Sequence, residues 1–291
     1  MKGLIVGLGI GSVYLEQLNL LGFNVTTVDI DKTKNPTFLN IEDALKEKYD
    51  LSIICTPNYL HFEQAKLLQP ASKNILIEKP GFESLDIYNH FINTFKDTKF
   101  FIVKNNIYRP ELTYIKSIID LFENSIEYVS INWLNSNRTP YPGGWFTNKE
   151  KSFGGVCHDL MPHLLHLFYS LNGNKLLEPK KINKFQRWNY TDVLTTEYGN
   201  VNSINPVYDV DDTCQITFED KFLYKLNAAW KTDKENDISI NINLKDGRKF
   251  RYEFGLCPNE MYGKMISEIM SDNNYSKHIL LDTWLHKIIN S

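Results

Sequence analysis

Cysteine is scarce and scattered in this chain: Cys55, Cys157, Cys214 and Cys257 are its four, and no two form a C-x-x-C pair. That spacing argues against a zinc knuckle or a disulfide framework and fits free thiols in a reducing compartment. No apolar run approaches the ~18 residues that a membrane span requires. Neither sign of charge dominates: 32 basic side chains stand against 35 acidic ones, a net charge of -3. There is thus no electrostatic reason to expect nucleic acid or an anionic membrane as a partner. Low-complexity tracts and internal repeats are missing as well. Met1-Lys2 before an apolar run superficially resembles a secretory signal. However, three glycines interrupt the run, no small-residue cleavage site follows, and it leads into Glu16-Gln17 of an amphipathic helix. The expectation is a cytoplasmic globular protein. Its 291 residues exceed what one hydrophobic core usually organises, so two domains are expected.

What is present is a strand–helix alternation over the first hundred residues. Leu4-Ile5-Val6, Asn24 to Val28, Leu51 to Ile54, Ile75-Leu76-Ile77 and Phe100 to Val103 read as buried strands. Helical patterns over Val13 to Leu21, Ile41 to Lys48, His61 to Leu68 and Leu85 to Phe95 separate them, with an edge strand around Thr37-Phe38-Leu39. Such alternation implies right-handed crossovers and a parallel α/β sheet. The rhythm changes after residue 122, which places a first domain at 1–122 and a second at 123–291. The second carries a strand over Ile126 to Trp133 and a helix from Asp159 to Tyr169. Strands follow over Cys214 to Phe218, Phe222 to Trp230, Ile238 to Leu244 and Lys249 to Phe254. Thr232 to Asp237 and Lys245-Asp246-Gly247-Arg248 read as hairpin turns. This half is therefore α+β with an antiparallel sheet, closed by helices over Glu260 to Met270 and His278 to Ile289.

Three segments carry chemistry. Gly7-Leu8-Gly9-Ile10-Gly11-Ser12 sits between the first strand and its helix, where glycines permit a tight turn and let backbone approach a pyrophosphate at the helix's positive end. Ser12 stands where a third glycine is usual, and is small enough for close helix–strand packing. Asp29 ends the second strand about 20 residues on, where a carboxylate binds the adenosine ribose hydroxyls. The same charge repels a 2′-phosphate, which favours NAD over NADP; the plainer reading of Asp29 is a turn or cap residue. Thr56-Pro57-Asn58 ends the next strand and reads equally as a helix entry capped by Asn58. Glu78-Lys79-Pro80 closes the strand Ile75-Leu76-Ile77, so that a lysine stands at the carboxyl edge of the sheet, where open α/β folds bind ligands. Asp159, His163 and His166 follow at i, i+4 and i+7 on one helical face. With no further ligands nearby, no metal is expected; His166 reads as a packing residue and His163 as a proton shuttle oriented by Asp159. Pro162 requires the first turn of a helix. The five tryptophans read as core, except that Trp145 in the Gly143-Gly144-Trp145 loop could meet a sugar face.

Together these residues resemble the glucose-fructose oxidoreductase/inositol dehydrogenase (Gfo/Idh/MocA) family. The resemblance is carried by Gly7-x-Gly9, Asp29, Thr56-Pro57-Asn58-x-x-His61, Glu78-Lys79-Pro80 and Gly154-Gly155-x-x-x-Asp159-Leu160-x-Pro162-His163. Asp211-Asp212-Thr213 and Trp230 extend it along nearly the whole chain. It implies an amino-terminal Rossmann domain, doubly wound on a parallel sheet, and a carboxy-terminal α+β domain with a mostly antiparallel open sheet. It also implies homo-oligomers, dimer or tetramer, through that second sheet. The cofactor residues it implies are Gly7, Gly9, Ile10, Gly11, Asp29, Thr56, Pro57, Asn58, His61, Glu78 and Lys79. Lys79, Asp159 and His163 become the catalytic set, and they face the substrate with Asn105 and Trp145. Two positions depart from the pattern: Ile107 replaces a frequent basic residue and His166 a frequent acidic one.

The reading is an NAD-dependent oxidoreductase that moves a hydride between nicotinamide and a sugar, sugar phosphate, sugar nucleotide or cyclitol, with Lys79 and His163 as acid–base groups. A lysine beside oxidised nicotinamide has its pKa depressed by the like charge, which suits a base. Two alternatives stay open: a non-catalytic NAD-sensing regulator, and a glycosidase or epimerase that holds NAD through a redox cycle.

Overall fold

The computed structural model describes residues 1–197, 199–200, 207–271 and 274–291. Its first hundred residues alternate strand and helix: β1 (Lys2–Val6), α1 (Gly11–Leu20), β2 (Asn24–Val28), α2 (Ile41–Ala44), β3 (Tyr49–Ile54), α3 (His61–Leu68), β4 (Ser72–Ile77), α4 (Leu85–Thr94) and β5 (Lys99–Ile102). The next stretch begins with α5 (Glu111–Phe122), β6 (Ile126–Leu134), α6 (Lys149–Ser152), α7 (Val156–Asp159) and α8 (Met161–Leu171). It continues through β7 (Lys181–Phe185), β8 (Thr195–Thr196), β9 (Gly199–Asn200), β10 (Thr213–Glu219), β11 (Leu223–Ala229), β12 (Asp237–Leu244) and β13 (Lys249–Glu253). Helices α9 (Glu260–Ser271) and α10 (Tyr275–Ile289) end the chain. Among the described residues, no helix is long and apolar enough to cross a membrane.

These elements form two compact units, Met1–Tyr108 with Pro258–Asn290, and Arg109–Cys257 with Ser291. The change of strand–helix rhythm places a boundary at 122/123, with everything after it in the second domain. The structure instead gives α5 to the second unit and returns α9 and α10 to the first. The reason is apolar coverage. In the first unit the five strands run parallel in the order β2-β1-β3-β4-β5. Alternate residues point to opposite faces: Leu4, Val6, Ile54, Ile75, Ile77 and Ile102 to one, Ile5, Leu51, Ile53, Leu76 and Phe101 to the other. Tyr14 and Leu18 of α1 cover part of the second face, and Met265, Ile266 and Ile269 of α9 pack on the same face. Each such apolar side chain gains about 1.5–3 kcal/mol on burial, enough to bring a helix back from the far end of the chain.

Helix α10 is fixed differently. Lys104 and Asp282 pair at 2.7 Å with both side chains buried. Lys104 Nζ also donates to the Ile102 carbonyl, and the Asp282 carboxylate accepts from the Ile102 N–H at 3.2 Å. Burial pushes the Asp282 carboxyl up and Lys104 pulls it back, leaving it above the ordinary carboxylate range.

The second unit holds a six-stranded sheet in the order β13-β12-β6-β11-β10-β7. All neighbours run antiparallel except β6 and β11. The hairpin at Lys245-Asp246-Gly247-Arg248 joins β12 to β13 as expected. Thr232 to Asp237 is not a hairpin turn, because β6 lies between β11 and β12; local turn composition carries no information about a strand inserted from a hundred residues earlier. Helix α5 and strand β7 were not anticipated. The helix expected over Ile41 to Lys48 stops at Ala44, and the segment near Phe38 contributes a single parallel bridge to Val28.

Candidate functional site

In the first unit the glycine turn is built against the sheet's carboxyl edge. Gly7 has φ +91, and a Cβ there would lie 2.7 Å from the Cys55 carbonyl oxygen, so only glycine fits. Above Gly9 a Cβ would meet nothing within 4 Å, which is the open approach a phosphate needs. The close helix–strand packing expected of Ser12 belongs instead to Gly11. A Cβ on Gly11 would stand 2.9 Å from Ile5, whereas Ser12 is exposed and donates its hydroxyl to the Gly9 carbonyl.

Asp29 follows β2 and is tied to this turn. Its Oδ2 accepts from the Leu8 N–H at 2.6 Å and from Lys34 Nζ at 3.0 Å; its Oδ1 accepts from the Asp31 N–H at 2.8 Å. Burial alone would raise its pKa, but the Asp31 and Leu8 amides and Lys34 outweigh it and hold the carboxyl below its ordinary value. Asp29 is therefore held as an anion directly after β2. Lys34 was not singled out from sequence, where it is one of many lysines.

Glu78 and Lys79 directly follow β4. Buried Tyr14 donates its hydroxyl to Glu78 Oε1 at 2.7 Å, and the Lys79 N–H donates to Glu78 Oε2 at 3.1 Å. Burial, and then the Glu78 charge, push the Tyr14 phenol far up, so it remains a donor. Glu78 is thus an anchor for the backbone that carries half-buried Lys79. His61, grouped by sequence with the cofactor residues, is fully buried. Its Nδ1 lies 2.7 Å from the Gly81 carbonyl oxygen and its Nε2 2.9 Å from that of Thr56. Burial lowers its pKa against the pull of those carbonyls, with the Lys79 charge lowering it further. Its ring ties the loop after Thr56 to the loop after Lys79. Thr56 donates its hydroxyl to Gln64, Pro57 opens the turn, and Asn58 is buried at 8% exposure. Ile10 is exposed at the start of α1, and Asn105 is buried at 1% with its Oδ1 accepting from Asn106.

In the second unit, the expected single helix from Asp159 is two helices. Helix α7 ends at Asp159, Leu160 links, and α8 begins at Met161 with Pro162 in its first turn, where its missing N–H costs little. Gly154-Gly155 exists for packing: a Cβ on Gly155 would fall 1.7 Å from the Asp211 carbonyl oxygen. The Asp211 carboxylate accepts from the Gly155 and Cys157 N–H groups, which holds α7 in place. Asp212 accepts from the Arg187 and Trp188 amides and the Tyr208 hydroxyl. From residue 154 to 169 every side chain is buried except those of Asp159 and His163. His166 is 1% exposed, as a packing residue should be.

Two tryptophans support that pair. The Trp230 indole N–H donates to Asp159 Oδ2 at 2.9 Å, and Trp133 lies under the His163 ring, centroids 5.5 Å apart at 31°. Trp133 pairs in register with Ala228 of the parallel partner strand, and Trp230 directly follows that strand. The sequence reads both as core residues, with Trp230 also part of the family resemblance; their position at the ends of strands is the available signal for a supporting role. Trp145 is half-buried in a one-turn helix and stacks on Phe146 at 3.8 Å. Trp230→Phe keeps a ring but removes the donor from Asp159. It is expected to lower unfolding free energy by about 1.5–3 kcal/mol, the range for a hydrogen bond to a charged group; urea melts of the two proteins check this, and an unchanged midpoint would dismiss the bond.

Residues 1–104 match the model of an oxidoreductase family described by its NAD-binding Rossmann fold, GFO_IDH_MocA. A protein of Amycolatopsis mediterranei (strain S699), named provisionally as a UDP-kanosamine synthase oxidoreductase subunit, is 25% identical over 240 residues. That alignment spans 77% of this chain and 64% of the relative's length. Among solved structures, GenD2 from gentamicin A biosynthesis, in complex with NAD, superposes with a TM-score of 0.74 at 15% identity, over 100% of this chain and 93% of its own. The WlbA dehydrogenase from Bordetella pertussis, in complex with NADH and UDP-GlcNAcA, gives a TM-score of 0.72 at 16% identity, over 99% and 94%. At these identities the structural likeness establishes the fold. Joined to the glycine turn, Asp29 and Glu78-Lys79-Pro80, the family match leads to one assignment: residues 1–104 are the NAD-binding Rossmann fold of the Gfo/Idh/MocA oxidoreductase family.

Proposed function

We propose that the chain is an NAD(H)-dependent oxidoreductase acting on a CH–OH group, or the corresponding carbonyl, of a sugar, sugar phosphate, sugar nucleotide or cyclitol. The observation that carries this reading is the turn around Gly9, open above its Cα and tied through the Leu8 N–H to the Asp29 carboxylate. The residues fit a dinucleotide: Gly7, Gly9 and the start of α1 would hold the pyrophosphate, and Asp29 the adenosine ribose. The bound nicotinamide supplies a hydride acceptor or donor at C4.

The chain's own contribution is to hold and move a proton. Lys79, on a backbone fixed by Glu78 on one side and by His61 through Gly81 on the other, is assigned the proton of the reacting hydroxyl. His163 is assigned a second acid–base role, with Asp159 as its orienting carboxylate and Trp133 limiting the tilt of its ring. The names of the relatives support a sugar-related substrate, since they concern UDP-kanosamine, UDP-GlcNAcA and gentamicin.

The expected result of calorimetric titration is that NADH binds and that NADPH binds more weakly, because Asp29 is held as an anion; no dinucleotide binding would end this reading. Incubation with NAD and a panel of sugar phosphates and sugar nucleotides should then give NADH absorbance with at least one member.

A further inference from the structure

Asp29 has a partner that a ribose-binding carboxylate does not need. A carboxylate offers about four acceptor positions, and here three are taken, by the Leu8 N–H, the Asp31 N–H and Lys34 Nζ. Two of these donors are backbone amides and are fixed. The third belongs to Lys34, whose side chain is 39% exposed against 6% for Asp29. Two ribose hydroxyls require two acceptor positions, so a diol seats on Asp29 only when the ammonium moves off Oδ2.

The turn that places Lys34 is built for it. Asp31 caps a one-turn helix over Lys32–Lys34 by accepting from the Thr33 N–H, and Asn35 follows in the left-handed region at φ 51. The backbone that carries Lys34 is therefore fixed, while the side chain reaches Asp29 from the solvent side, 39% exposed. Moved off Asp29, the ammonium would keep its charge close to the carboxylate, where it would offset the repulsion between Asp29 and a 2′-phosphate.

We infer that Lys34 sets the NAD/NADP selectivity of this chain: as a movable counter-ion of Asp29 it competes with a ribose diol and accepts a 2′-phosphate. The inference rests on the dinucleotide-binding reading above and narrows the preference that Asp29 alone would give. Removing the lysine thus acts on the two cofactors in opposite directions. NADH loses a competitor for Asp29, while NADPH loses the one cation among the three contacts of this carboxylate.

The test is calorimetric titration of the wild-type chain, Lys34→Ala, Lys34→Met and Lys32→Ala with NADH and with NADPH. The expected result is a rise of about tenfold or more in the ratio Kd(NADPH)/Kd(NADH) for both Lys34 variants, a magnitude typical of one charge-assisted contact. NADH should bind as tightly as in wild type or tighter. Lys32→Ala, which removes a neighbouring exposed lysine that makes no contact with Asp29, should stay within about twofold on the same scale. A wild-type ratio in both Lys34 variants, or an equal change in Lys32→Ala, overturns the inference and leaves dinucleotide binding standing. A wild-type chain that binds neither cofactor overturns the dinucleotide reading itself, and this inference with it.

Discussion

Lys79→Ala should cut turnover by ~100-fold or more, the low end of what a positioned general acid or base contributes, while NADH affinity and the melting temperature change little. The second half of that expectation follows from how the segment is held. Its carboxylate anchor is Glu78, bonded by Tyr14, and its far side is fixed where His61 meets the Gly81 carbonyl. Neither contact uses the Lys79 side chain, so alanine at this position keeps both. Steady-state rates with a responsive sugar, together with a calorimetric NADH titration and a thermal melt of the same variant, separate the cases. Turnover at the wild-type rate would remove Lys79 from the chemistry. A parallel collapse of cofactor binding and melting temperature would make it a structural residue. The informative outcome is a loss in kcat with the dinucleotide Kd preserved, because that pattern assigns the lysine to the reacting group.

How much of this was legible in the sequence depends on distance along the chain. The parallel sheet was readable because β1 to β5 are short apolar runs separated by helical patterns and ended by special residues. Glycine marks the end of β1, Asp29 the end of β2, and Glu78-Lys79-Pro80 the end of β4. The placement of α9 and α10 was not readable, since Met265, Ile266 and Asp282 find partners more than 150 residues away. Periodicity shows that a helix has an apolar face and says nothing about which sheet it covers. The same limit hid β6 between β11 and β12. In the site, residue type and spacing pointed to Asp29, Lys79, Asp159 and His163, but not to the groups that hold them. Tyr14 and Lys34 are ordinary residues until the fold brings each to a carboxylate, and Trp230, though part of the family resemblance, shows its bond to Asp159 only in the fold. Gly11 and Ser12 show a related limit: the family spacing points to position 12 for close packing, and only the 2.9 Å approach to Ile5 shows that the packing constraint falls on position 11.

His163→Asn should remove one limb from the pH profile of turnover and lower the rate, with NADH affinity near wild type. Histidine is the side chain whose ordinary pKa, about 6.5, falls within the working range of most enzymes, and asparagine is a smaller side chain that keeps a hydrogen-bond donor and acceptor without the titration. The structural setting favours a chemical role. Between residues 154 and 169 only Asp159 and His163 escape full burial. The ring rests on Trp133, while the indole of Trp230 holds one oxygen of Asp159. A histidine that served only to pack would be as enclosed as His166, which is 1% exposed three positions later. If His163 does no more than pack on Trp133, the substitution lowers the melting temperature and leaves both limbs of the profile in place. If it exchanges a proton, the limb disappears while the fold is retained. Measuring the pH–rate profile and the thermal melt on one preparation of the variant distinguishes these, and Trp133→Phe supplies the complementary case. That change keeps an aromatic surface under the ring and retains the titrating group, so its profile should keep the limb that His163→Asn loses. A limb that persists in His163→Asn would move the proton transfer to another group and leave Asp159 and His163 with a binding role alone.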